Sequence, residues 1–194
     1  MNYLAHAYLS FDDDEILVGN LISDFVKGKN KFNYPERIQK GITLHRAIDT
    51  FTDEHQATKL AKNIFRPRYR LYSGAFVDVV YDHFLAIDTN EFTEERLEVF
   101  SQKVYQAIDK HQQVLPERFA RMFPYMKLQN WLFNYRTLTG TEMSFGGVAR
   151  RARYIDESKT AAILFEKNYK ELQANYHSFF PDVKSFSRRI FEEL

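Results

Sequence analysis

Apolar residues recur three and four positions apart along almost all of this chain, and the period-two alternation of a half-buried strand is hard to find. Residues that interrupt helices are scarce as well, with 7 Gly and 5 Pro among 194 positions. Together these predict an all-α protein. At this length a 44% hydrophobic share is enough for one core, so a single domain over residues 1–194 is expected. With 18 Phe and 12 Tyr, that core should be filled by few, large side chains.

The spacing predicts a short helix over about residues 2–9. The acids from Asp12 to Glu15 suit the first turn of a second helix, which carries Ile16, Leu17, Leu21, Ile22 and Phe25 and stops near Gly28. Pro35 suits a first helical turn, and the pattern that follows runs through Ile38, Ile42, Leu44, Ile48 and Phe51 to about Lys62. Its length calls for a break near Phe51 to Glu54. "RPRYRLYSG" reads as a loop, followed by a helix from about Ser73 to Ala86. "TEERLEVFSQKVYQAIDKHQQVL" is amphipathic, with Thr93 as its N-cap. Pro116 opens a further helix that Pro124 interrupts or kinks. "TLTGTEMSFGGVARRAR" reads as turn chemistry and then a basic turn. A last long helix is expected over about 156–178, with Pro181 starting a short terminal one.

Several function classes are excluded or disfavoured. Without cysteine there is neither a disulfide nor a thiolate metal ligand. A net charge of +1 gives no bulk reason to bind nucleic acid. The start, "MNYLAHAYLSFDDDE", lacks the basic region of a signal peptide, and no apolar run approaches the ~18 residues that span a membrane. A soluble, cytoplasmic protein is expected.

The chemistry-bearing residues stand in unusual places. In "DVVYDHFL", residues 78–85, Asp78 and Asp82 are four apart with His83 beside the second, inside an apolar run. Residues at that spacing share a helix face, where like charges repel, and a buried carboxylate is costly unless paired, hydrogen-bonded or metal-bound. Asn2 and His6 repeat the spacing, as do Asn20 and Asp24, and His45, Asp49 and Asp53 form a longer ladder with Arg46 beside it. Taken singly, each pair has an ordinary reading as a helical pair or buried cap. Jointly, four segments that turn Asp, His or Asn toward an apolar interior are how helical proteins build metal centres, and a cation would neutralise the Asp78–Asp82 repulsion. A cysteine-free site suits Mn²⁺, Mg²⁺ or Fe²⁺, or a His-rich zinc site, and spacing does not choose among them.

The blocks "MNYLAHAYLS", "GNLISDFVKG", "GITLHRAIDTFTDEH" and "DVVYDHFL", continuing through "NWLFNY" and "RRAR", resemble in order those of the acyl carrier protein phosphodiesterase family. That family is similar to the HD-type phosphohydrolases, which implies an all-α fold with a His/Asp-bound divalent metal, usually Mn²⁺. The implied reaction hydrolyses the phosphodiester that joins 4′-phosphopantetheine to a serine of holo-acyl carrier protein. By position the resemblance points to Asp24, His45, Asp49, Asp78, Asp82 and His83. Asp24, His45, Asp78, Asp82 and His83 are the expected metal ligands, with the choice between Asp82 and His83 open and His6 and Asn20 placed behind them. Asp24 and Asp49 are expected to act in catalysis, with Lys27 and Arg46 stabilising charge on the phosphoryl oxygens. The implied partner is acidic. Two basic clusters could receive it: Arg66, Arg68 and Arg70 with Lys62, and Arg150 and Arg151 with Arg153. Two further readings stay open: a metal-dependent hydrolase of nucleotides or small phosphoesters, and a non-enzymatic helical module that binds an acidic protein.

Overall fold

The computed structural model describes residues 1–194. The chain is all-α. Its helices are α1 (Tyr3–Tyr8), α2 (Asp14–Ile22), α3 (Glu36–Glu54), α4 (Gln56–Tyr69), α5 (Ser73–Ile87), α6 (Glu94–Lys110), α7 (Glu117–Leu128), α8 (Trp131–Asn134), α9 (Leu138–Arg151), α10 (Lys159–Lys167) and α11 (Tyr169–Glu193). Short 3₁₀ turns occupy Ser23–Phe25, Gly28–Asn33, Arg70–Tyr72 and Gln112–Val114. The buried apolar side chains form one continuous cluster. No helix is long and apolar enough to cross a membrane.

The crossing of α2 and α3 organises the molecule. A Cβ on Gly19 would sit 2.2 Å from the Ile38 carbonyl oxygen, and one on Gly41 would sit 2.2 Å from that of Ile16. Only glycine at both positions lets the two backbones touch. The approach is clamped at one end by Asp13. One of its oxygens caps α2 by accepting the Ile16 N–H at 2.9 Å, and the other receives Arg37 Nε and Nη2 from α3 at 2.9 and 2.6 Å. Around this pair, α1 packs on α2 and α5, α11 lies across α3, α4 and α5, and α9 covers α5 from the other side. Helix α5 is the central rod, with Val79 through Ala86 all buried.

Several sequence expectations are met closely. The break falls at His55, whose Nδ1 accepts the Ala57 N–H, and Thr93 caps α6 by accepting the Arg96 N–H at 3.3 Å. Others need correction. Pro35 precedes the first turn of α3 and serves as its N-cap. The segment expected to be a loop is largely helical: α4 continues through Pro67 to Tyr69, because Phe65 and Tyr69 are buried and anchor its last turn. The chain turns at Arg70 instead, where φ is +47°. The turn chemistry of "TLTG" starts a helix, since Thr137 Oγ1 accepts the Gly140 N–H at 3.0 Å and caps α9. Near the end, the break falls at Asn168, and Pro181 lies inside α11 with its ring exposed while Phe179, Phe180 and Val183 hold the buried face.

Candidate metal centre

The backbone contact between α2 and α3 places Asn20, the residue after Gly19, against His45, one turn beyond Gly41. Helix α1 lays His6 over both. The His6 and His45 rings stack with centroids 4.0 Å apart and 19° between planes. Asn20 Oδ1 lies 2.7 Å from His6 Nδ1 and 3.2 Å from His45 Nδ1. The amide cannot be turned over, because its Nδ2 donates to the His6 carbonyl at 2.9 Å and to Ser10 Oγ at 3.1 Å. One carbonyl oxygen therefore receives both Nδ1–H groups, and the two Nε2 atoms face the opposite way.

That opposite side carries the carboxylates. His6 Nε2 is 3.2 Å from Asp49 Oδ1, and His45 Nε2 is 3.1 Å from Asp49 Oδ2 and 3.2 Å from Asp24 Oδ1. Ligand atoms of His6, His45 and Asp49 all lie within 4.8 Å of one another. His6 Nε2 is buried and makes no hydrogen bond although Asp49 Oδ1 is near, because with Nδ1–H directed at Asn20 both facing atoms are acceptors. A buried imidazole lone pair without a donor, beside two carboxylates and with its tautomer set from behind, fits a divalent cation.

The electrostatics fit as well. Burial lowers His6 to about 4, with His45 adding to the effect and Asp49 opposing it, so its imidazole is neutral near pH 7. Burial also disfavours charge on His45, but hydrogen bonds to Asp24 and Asp49 outweigh it and raise His45 to about 9. The His45 contact holds Asp24 below its ordinary value. Burial pushes Asp49 up, but the His45 bond, with His6 and the Met1 ammonium close by, brings it well below the usual carboxylate range. Two carboxylates thus compete for one shared proton, a place where added positive charge is favourable.

The structure brings His6, Asn20, Asp24, His45 and Asp49 together. His6 lies level with His45 and Asp49 in a group that could hold a metal ion, rather than behind it, which spacing four from Asn2 does not reveal. Asp78 sits at the edge: the Met1 ammonium lies 2.9 Å from it and 3.9 Å from Asp49. Asp82 and His83 correct the expectation. Asp82 is fully buried and accepts the backbone N–H groups of Asn2, Leu4 and Ala5 at 3.2, 2.7 and 3.2 Å. Burial raises Asp82 to about 7 even though these N–H groups and the Met1 ammonium oppose it, and its oxygens are taken by α1 rather than by a cation shared with Asp78. His83 points the other way, with Nδ1 donating to the Tyr135 carbonyl at 2.8 Å and Nε2 accepting from Tyr169 Oη at 2.9 Å. Both ring nitrogens are spoken for.

Lys27 and Arg46 lie exposed on the flank of the Asp24 turn. Arg46 Nη2 donates to the Val26 carbonyl at 3.0 Å, and neither residue bonds to the cluster. The basic residues divide. Lys62, Arg66 and Arg70 line a cleft of about 620 Å³ whose lining includes Asp49 and Asp78. Lys62 is itself paired with Asp53 at 2.6 Å. Arg68 turns away to Asp156 and Glu157, both at 2.9 Å, so its charge is already met inside the molecule. Arg150 and Arg151, in the last turn of α9, line a second, smaller pocket together with Asn2, Tyr3 and Trp131.

A family profile described as acyl carrier protein phosphodiesterase matches residues 1–183. The chain is 30% identical over 182 residues to an acyl carrier protein phosphodiesterase of Photorhabdus laumondii, covering 93% of this chain and 92% of that one. It is 31% identical to one from Klebsiella pneumoniae and 32% identical to one from Yersinia pestis, in each case over 94% of this chain and 95% of the relative. No solved structure matches it.

Proposed function

The chain belongs to the acyl carrier protein phosphodiesterase family, and from that premise we propose that it hydrolyses the phosphodiester between 4′-phosphopantetheine and a serine of holo-acyl carrier protein, at a divalent cation held by His6, His45, Asp49 and Asp24. The products are apo-carrier protein and free 4′-phosphopantetheine. The observation that carries this reading is the buried, unpartnered His6 Nε2 facing the carboxylates. Two imidazoles with carboxylates suit Mn²⁺ or Fe²⁺ better than Mg²⁺, which prefers oxygen donors alone, and Mn²⁺ is our choice. The likeness to HD-type phosphohydrolases rests on this His/Asp donor set.

A cation in this position supplies Lewis acidity toward a phosphoryl oxygen and lowers the pKa of a bound water. The chain's own groups do the rest. Asn20 keeps both imidazoles in the tautomer that exposes Nε2. Asp49 sets one oxygen beside each histidine Nε2, so it would hold the cation together with them. Asp24 engages His45 through Oδ1 alone, and its side chain is 75% exposed. Its Oδ2 is free to orient the attacking water and receive its proton. The water oxygen bonds to phosphorus as the P–O bond to the serine breaks, and the proton taken by Asp24 passes to the departing serine oxygen. Arg66 and Arg70, which no carboxylate of the chain pairs, offer the acidic carrier protein positive charge beside the reacting phosphorus. The same reading places the reaction in the cytoplasm.

The test is mass spectrometry of holo-carrier protein incubated with the enzyme and Mn²⁺, with and without chelator. Loss of the phosphopantetheine mass that the chelator stops is expected. Unchanged holo-carrier protein, with nucleotides hydrolysed in its place, would refute the assignment.

A further inference from the structure

We propose that the pocket between the start of α1, α8 and α9 receives the pantetheine arm, while the wide cleft lined by Asp49 and Asp78 receives the carrier protein. This rests on the function proposed above and adds to it which wall of the site recognises which half of the diester.

The two openings differ in chemistry. The wide cleft is charged, with Lys62, Arg66 and Arg70 facing Asp49. The pocket is much the smaller and the more enclosed of the two. A folded protein cannot enter it, but a flexible arm can. Its apolar surface comes from Tyr3, Trp131 and Met143, which suits the geminal methyls and methylenes of the arm.

The polar groups match the two amides of the arm. Asn2 Nδ2 is used by Tyr135 Oη at 2.9 Å, which leaves Asn2 Oδ1 as a free acceptor. Gln129 Oε1 is used by Trp131 Nε1 at 2.9 Å, which leaves the Gln129 Nε2 donors free. Asn134 Nδ2 donates to the Gln129 carbonyl at 2.7 Å, which leaves Asn134 Oδ1 free. The wall thus presents amide donors and acceptors, fixed by their own second bonds, beside an apolar floor.

The pocket also opens in the right direction. Asn2 lies one helical turn below His6 on the same face of the chain. Tyr3, on the wall of the pocket, packs edge-on against Phe119, which packs edge-on against Phe25, the residue after Asp24, so this wall runs toward the metal centre. A nucleobase fits less well: the Tyr3 and Trp131 rings are 6.5 Å apart and tilted 43°, which is not the parallel slot that sandwiches a base.

Gly147 gives the pocket its room. A Cβ there would meet only Arg150 Nη2, at 3.8 Å, so packing does not require glycine at this helical position. Its absence of a side chain instead leaves the pocket open.

Trp131 is the single tryptophan and lines the pocket, so its fluorescence reports occupancy directly. Pantetheine, without phosphate, is titrated into the full chain. A saturable change is expected, weakened at least about tenfold in Gly147→Leu, with a matching rise in KM for holo-carrier protein. Circular dichroism checks folding. Should Gly147→Leu fold poorly, Met143→Glu, at an exposed position, is expected to weaken pantetheine in the same assay. No saturable change in the wild type, or one that both variants leave intact, overturns the proposal, and so does a response to adenosine monophosphate in its place. Failure of the functional reading shows separately, as holo-carrier protein that the wild type with Mn²⁺ leaves intact.

Discussion

Asp82 accepts the backbone N–H of Leu4 at 2.7 Å, so a carboxylate on α5 caps the N-terminus of α1. With Asn2 and Ala5 it satisfies three donors in a site closed to water. Asp82→Ala should lower stability by about 1–3 kcal/mol, since it strands buried donors that the carboxyl had met. The denaturant midpoint measures this, and a midpoint equal to wild type would mean that α1 is held by its packing alone.

Asn20 sets both imidazole tautomers from behind. Asn20→Ala should keep the fold and weaken Mn²⁺ binding by about 10- to 100-fold, read by competition with a fluorescent chelator. His6→Ala should weaken it further, because it removes a donor atom. Equal affinity in Asn20→Ala would show that the histidines hold their orientation without it.

Arg70 has φ +47° and ψ −118°, backbone that a residue with a Cβ adopts only under strain. It lines the cleft beside Asp49. Arg70→Gly should therefore raise stability by about 1 kcal/mol and at the same time raise KM for the carrier protein. It should also flatten the salt dependence of kcat/KM, because one steering charge is gone. Arg68→Gln, whose charge is already paired, should leave that salt dependence close to wild type.

The Asp13–Arg37 clamp gives a pH prediction. Burial raises the Asp13 carboxyl, but the Arg37 bond and the Ile16 N–H outweigh it and hold it below the ordinary 3.8. A depressed folded value means stability that is present above 3.8 and lost as pH falls through the lower value in the folded protein. Asp13→Asn should therefore melt lower than wild type near neutral pH, by about 1 kcal/mol, and converge with it in acid. Parallel melting curves from pH ~7 to pH ~2 would contradict the linkage.

Gly41→Ala places a methyl 2.2 Å from the Ile16 carbonyl oxygen. Helix propensity alone would favour alanine by about 1 kcal/mol, but separating α2 from α3 costs about 1–3 kcal/mol or more, so net destabilisation is expected. Because the same shift moves His45 from Asn20, metal affinity should fall with it. A more stable variant with unchanged affinity would show that the helices have room to part.

The α-helical class, most helix starts and the polar pairs at a spacing of four were legible in the residues, because helical periodicity is a local property of the chain. Pro67, Pro181 and the "TLTG" stretch misled, because buried aromatics and a threonine cap decided what local breaker chemistry alone could not. The cluster was half legible. Asn20, Asp24, His45 and Asp49 stood out as acids, amides and imidazoles on apolar helices, and four of that kind do meet. Asp78, Asp82 and His83 looked the same in sequence but satisfy the Met1 ammonium, the α1 N–H groups and Tyr135 with Tyr169.

A helix's own repeat decides which side chains share a stripe, and the amino-acid sequence alone determined that. It does not decide what the stripe faces. That was left to the tertiary structure, where two glycines bring α2 and α3 into backbone contact and orient one stripe toward a common cavity. Asp82 instead meets a neighbouring helix end. A carboxylate can be satisfied by a cation, an ammonium or a row of N–H groups, and only the packing of distant segments selects among them.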